Sequence, residues 1–153
     1  MSAITLSIAV VGAVLGIINT WAGLDRTRLK MRVVPKQAIP VGSADPRLTI
    51  CVEVTNLSSF AITVRETGFK LRRTKDRAAI IHPVVFDGGA WPRRLEPRSS
   101  VTVYAQPPDI HVGRLPKCAY ATTDCGVTKT GTSEAFRAFV GHARSPNTQG
   151  QDG

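Results

Sequence analysis

Arg47–Asn56 reads RLTICVEVTN, and its pattern decides the fold. Leu48, Ile50, Val52 and Val54 fall on one side of an extended chain; Thr49, Cys51, Glu53 and Thr55 fall on the other. Strand side chains alternate between faces, so this is a half-buried β-strand with its aliphatic side inward. Asn56–Ser59 supply turn chemistry, and Ile62 and Val64 resume an apolar face. The apolar phase shifts by one residue before Phe69 and Leu71, which predicts a bulge or kink at Gly68.

Outward from this stretch the chain is punctuated in the same way. Strands are expected at Leu29–Pro35, Ala79–His82 with Val84–Phe86, Ser100–Tyr104, Lys117–Thr123 and Val127–Thr130. Asp87-Gly88-Gly89, Leu95-Glu96-Pro97-Arg98, Pro107-Pro108-Asp109 and Asp124-Cys125-Gly126 separate them as turns. Ten Pro and 13 Gly in 153 residues fit a turn-rich β fold. About seven short strands at this spacing predict an immunoglobulin-like β-sandwich. Gly131-Thr132-Ser133-Glu134 opens a short helix through Val140, with Phe136 and Phe139 on one side and Gly141 ending it. The fold class is mainly β. Residues 37–141 form the head, and residues 142–153, polar and rich in Gly and Pro, form a disordered tail.

At the other end, Ile4–Leu24 (ITLSIAVVGAVLGIINTWAGL) holds no charged side chain. Its helical length is roughly 31 Å, matching the ~30 Å hydrocarbon layer of a bilayer. The run has no polar face of the sort a soluble amphipathic helix carries. A cleaved signal peptide needs basic residues ahead of the apolar core and small residues at the cut; here no Lys or Arg precedes Ile4, and Trp21 crowds the nearest small-residue site. Residues 1–24 are therefore read as a single transmembrane anchor. Residues 25–36 form a basic juxtamembrane segment that runs into the first strand. Trp21, Arg26, Arg28, Lys30 and Arg32 are placed at the membrane interface. The positive-inside rule points the C-terminal side to the cytoplasm, on an inner or plasma membrane whose anionic inner leaflet is one partner. Ala9, Gly12, Gly16, Asn19 and Gly23 share one helical face, and Gly12 with Gly16 form a GxxxG pair. Such a stripe supports homo-oligomerisation or a helical partner, although Gly and Ala are common in membrane helices in any case.

Net charge is +9, all of it in the flank and head. Lys70, Arg72, Arg73, Lys75 and Arg77 form the dense cluster outside the flank. The cluster lacks interleaved aromatics on which bases would stack, so nucleic acid is not the expected ligand. Cys118 and Cys125 lack the short spacing and neighbouring His of a zinc site, and the odd set with Cys51 reads as free thiols. His82, His111 and His142 share no spacing with an orienting carboxylate. No P-loop, dinucleotide fingerprint, HExxH or GxSxG occurs. Asp87-Gly88-Gly89 lacks the repeated acidic ligands that calcium needs. No enzyme activity, metal or cofactor is expected. Trp91, Arg93 and Arg94 have the composition of an interaction hot spot, set against the plainer reading that Trp91 fills the end of the sandwich.

Residues 50–71 (ICVEVTNLSSFAITVRETGFKL), 91–104 (WPRRLEPRSSVTVY) and 120–126 (YATTDCG) carry a resemblance. Their succession resembles uncharacterised small bacterial and prophage-encoded membrane proteins with one N-terminal helix, a basic flank and an immunoglobulin-like head. The resemblance covers residues 4 to 130, and implies fold and placement rather than an activity. Cys51 alternates outward with Glu53, which does not support the inter-sheet disulfide of antibody domains. The expectation is a membrane-tethered binding or scaffold module. Its partner contacts are sought at Trp91, Arg93 and Arg94 or at Lys70–Arg77. The alternative is a membrane-active oligomer, a lysis accessory or envelope-modulating protein, acting through its helix.

Overall fold

A computed structural model describes residues 3–39, 42, 45–106 and 115–142. Helix α1 (Ala3–Thr27) contains the apolar run, and its 18-residue window Ser7–Leu24 has a mean hydropathy of 1.8. It continues past Leu24 because no Gly or Pro stands between Asp25 and Thr27 to stop it. The hydroxyls of Thr20 and Thr27 donate to the carbonyls of Gly16 and Leu24, both at 2.8 Å, so they satisfy themselves within the helix. All described side chains from Ser7 to Leu24 are exposed. By length and composition α1 can cross a membrane.

The rest is mainly β. Strands β1 (Met31–Gln37), β2 (Ile50–Asn56), β3 (Ile62–Leu71), β4 (Arg77–Ala79), β5 (Arg93–Leu95), β6 (Ser100–Ala105), β7 (Pro116–Thr123) and β8 (Thr128–Gly131) precede a short helix, α2 (Glu134–His142). They form two antiparallel sheets. One has the order β1-β2-β6; the other has the order β4-β3-β7-β8, with β5 also paired to β3. The inward residues of β2, Ile50, Val52 and Val54, meet Val64, Phe69, Ala119 and Ala121 of the other sheet in one core. Alternation in RLTICVEVTN thus does what its period demands: one face of the sheet loses its contact with water, and that burial drives the packing.

Helix α2 closes the core beside β1. Ser133 caps it by accepting from the Phe136 N–H at 3.1 Å, and the same hydroxyl donates to Pro35 O in β1. Phe136 and Val140 are buried, and the Phe136 ring stacks on Phe69 with centroids 5.6 Å apart. Gly141 lies inside the last turn instead of ending the helix, which runs to His142.

Other boundaries also depart from the sequence reading. The phase shift in β3 lies at Arg65: Val64 pairs with Thr123 and Glu66 with Thr122, leaving Arg65 as the extra residue of a bulge. Gly68 is required for a different reason, since a Cβ there would stand 2.2 Å from Ala78 O of β4. The expected strand at Ala79–His82 and Val84–Phe86 reduces to β4 and an isolated bridge between Val84 and Tyr104. Strand β5 was not foreseen. Cys51 points outward yet is buried, 5% exposed, between its register neighbours Lys36 and Tyr104. The turn at Pro107–Asp109, His111 and residues 143–153 lie outside the described residues.

Candidate functional site

Strand registers give the head two ends. Met31, Asn56, Ser100, Ile62 and Leu95 mark the end where α1 enters. Gln37, Ile50, Ala105, Leu71 and Pro116 mark the far end. Strand β3 connects the two, and its ten residues span roughly 33 Å.

Two surface features lie toward the far end. The first is a cleft of about 690 Å³. Leu48, Phe69, Ile80, Val84, Phe86 and Tyr104 supply its apolar wall, with Asp45 and His82 also lining it. The Phe86 ring packs edge-on against Tyr104, with centroids 4.6 Å apart. Phe86 is nonetheless 63% exposed, and the adjacent Ile81 is 80% exposed. Phe86 thus extends the apolar wall of the cleft into solvent, and Ile81 stands next in sequence to its lining residues Ile80 and His82.

The second feature is the β3–β4 hairpin. Lys70, Arg73, Lys75 and Arg77, joined by Lys117 from β7, line a concavity of about 590 Å³ with Asp76 as its one carboxylate. Arg73 takes a left-handed backbone, φ 61°, at the tip. The Arg77 guanidinium lies 5.6 Å over the Tyr120 ring, a cation–π contact that fixes this charge at the rim. The Tyr120 hydroxyl donates to Glu66. Burial, reinforced by that carboxylate, pushes the Tyr120 phenol far up, so it stays protonated. Arg72 is exposed but does not line the concavity.

The Trp91 group is placed differently. The Trp91 indole N–H donates to Arg65 O at 2.9 Å, filling the gap the bulge opens, and the ring packs partly against the core. Arg93 is half-buried and paired with Asp87, its guanidinium lying against Gly89. Arg94 pairs with Glu96 at 3.0 Å on the surface. These three therefore organise the β5 edge, and Arg94 is the most exposed of them. They do not join the hairpin cations in one site.

On α1, a Cβ added at Gly12, Gly16 or Gly23 meets nothing within 4 Å, so the small-residue stripe with Ala9 and Asn19 is open. Trp21 is 70% exposed, and Arg28, Lys30 and Arg32 are exposed after it. The side chain of Arg26 lies outside the described residues. Among the described residues no group of His, Cys, Asp and Glu is arranged to hold a metal ion. His82 is exposed, and the His142 ring bonds Ala138 O of its own helix at 2.8 Å. All three cysteines are free.

The cleft residues carry no joint signal in the sequence because they come from separate segments whose meeting depends on the tertiary fold. The run Val84-Val85-Phe86 has the pattern of an ordinary strand; its one local signal is Pro83, which breaks the pattern just ahead of it. Comparison of the sequence with protein-family models and with curated proteins finds no match in either.

Proposed function

We propose that this chain is a membrane-tethered binding module whose head presents its far end to a protein partner. The observation that carries the reading is the presence of both an apolar cleft and a basic hairpin toward the end of the head away from α1. That pairing suits a partner segment with apolar side chains flanked by carboxylates. Apolar burial would supply affinity, and the cations would supply orientation and rate. Tethering raises the local concentration of the head near other membrane proteins, so a weak contact suffices.

The flank cations after α1 favour a cytoplasmic head on a single-pass protein of the inner or plasma membrane. The order β1-β2-β6 against β3-β7-β8 parallels strands A-B-E against C-F-G of immunoglobulin sandwiches, which supports an immunoglobulin-like reading of the head. A bacterial or prophage setting rests on the resemblance alone.

The test is photo-crosslinking in the full chain in its membrane. A crosslinker at position 86 or 81 is expected to capture one defined protein, and one at position 32 is not. Lys75→Glu with Arg77→Glu is expected to weaken the adduct. Equal capture at positions 86 and 32 contradicts the proposal. The open Gly12–Gly16 stripe keeps the oligomer reading in view; under it, Gly12→Ile with Gly16→Ile abolishes function while the adduct from position 86 persists.

A further inference from the structure

We infer that the end of the head nearest α1 rests on the membrane, with Leu57 and Phe60 entering the interfacial layer of an anionic bilayer. The inference deepens the tethered-module reading and rests on α1 spanning the bilayer.

Chain length sets the position of this end. Only Arg28, Leu29 and Lys30 separate α1 from β1. Three extended residues reach about 10 Å. The Lys30 backbone is also bonded to the loop after β2: its N–H donates to Ser58 Oγ at 2.8 Å, and its carbonyl accepts from the Leu57 N–H at 2.8 Å. Lys30 therefore sits within about 10 Å of the helix end, whichever way the head leans, and the loop is bonded directly to it. The apolar run ends at Leu24, which leaves Asp25–Thr27 at the level of the headgroups. Each interfacial layer is about 5–8 Å deep, so a tether this short holds the loop at the membrane surface, within reach of that layer.

The loop is also rigid. The fully buried Asn56 donates from Nδ2 to Phe60 O at 2.8 Å and to Leu95 O and Glu96 O, while its Oδ1 accepts from the Ser58 N–H at 2.9 Å. Arg98 N–H donates to Asn56 O at 3.0 Å, bringing a second turn to the same end. On this frame Leu57 is 36% and Phe60 38% exposed. Arg28, Arg32 and Arg98 are exposed at the same end of the head; among the described side chains, Glu96, paired with Arg94, and Asp124 are carboxylates of that end. Two apolar side chains on a fixed turn, at an end of the head that also carries exposed arginines, have the composition of an interfacial contact with anionic lipid.

The test uses the full chain carrying Cys118→Ala and Cys125→Ser, with Cys51 left buried as an unlabelled internal control. A polarity-sensitive dye is placed through Phe60→Cys, through Leu57→Cys, or at the far tip through Lys75→Cys. Each protein is reconstituted into vesicles of phosphatidylcholine with phosphatidylglycerol, with and without headgroup-level spin-labelled lipid. The expected result is blue-shifted emission at positions 57 and 60, quenched several-fold more than at position 75. Emission at 57 and 60 as water-exposed as at 75, in a chain that stays with the vesicles through alkaline carbonate, overturns the inference and leaves the anchor standing. A chain released by carbonate overturns the anchor, and this inference with it.

Discussion

Asn56 and Leu95 join the two sheets: the Asn56 side-chain N–H donates to Leu95 O at 3.1 Å across the end where α1 enters. The same amide group also reaches Phe60 O and Glu96 O, so one buried side chain fixes both turns at that end. Asn56→Ala removes the donors and leaves these carbonyls and the Ser58 N–H to find other partners. The expected cost is about 2–4 kcal/mol, given 1–3 kcal/mol per buried polar group left unpaired. Urea unfolding of the full chain in mild detergent reads it directly.

The stacked pair Phe69 and Phe136 holds α2 on the core. Phe136→Ala is expected to lose about 3–5 kcal/mol, as aromatic-to-alanine changes in cores do. Phe139, only partly buried on the same helix, is expected to lose clearly less. Thermal melts of the two variants, compared under one condition, test the ranking.

Gly131 ends β8 where it crowds β1. A Cβ at this position would stand 1.6 Å from Val33 O, a clash that only backbone movement relieves. Gly131→Ala is expected to destabilise by about 1–3 kcal/mol, the usual range for overpacking. Gly126→Ala is a control of a different kind: its φ of 83° strains any side chain, yet no neighbour obstructs it. A hydrogen-exchange comparison is expected to show β1 loosened in the first variant alone.

The cysteines differ in reactivity. The Thr123 hydroxyl, 3.1 Å from Cys125 Sγ, holds this exposed thiol below the ordinary range. Burial pushes Cys51 up. Since the thiolate is the reactive form, Cys125 is expected to alkylate fastest, with a rate–pH midpoint below that of a free thiol. Thr123→Val should shift that midpoint upward. Cys51 should react only on unfolding. Iodoacetamide labelling followed by peptide mass analysis measures all three sites.

Much of this fold was legible because local periodicity governed it. The aliphatic face of Arg47–Asn56, the uncharged run of α1 and the Ser133 cap each follow from neighbours in sequence. The misses share a cause. The β3 bulge falls at Arg65 because pairing with β7 and the Trp91 hydrogen bond decide it, and both are long-range. Strand β5 carries a single buried apolar residue, Leu95, behind two arginines, so it has no alternating pattern to read. Cys51 alternates outward yet is buried, because alternation says which way a side chain points, while neighbouring strands decide what covers it. Of the candidate site, the hairpin cations were visible as a run. The cleft was not, since Leu48, Phe69, Phe86 and Tyr104 come together only through the folded topology.

The side of the membrane that the head occupies decides which partners its far end can meet. Cys125 is the exposed cysteine of the head, so it reports this without an added probe. Intact expressing cells, and the same cells permeabilised, are treated with a membrane-impermeant maleimide. A cytoplasmic head requires that Cys125 be labelled only after permeabilisation, in a chain that alkaline carbonate leaves in the membrane fraction. Labelling of Cys125 in intact cells would contradict it and place the cleft and the basic hairpin before partners outside the cell membrane.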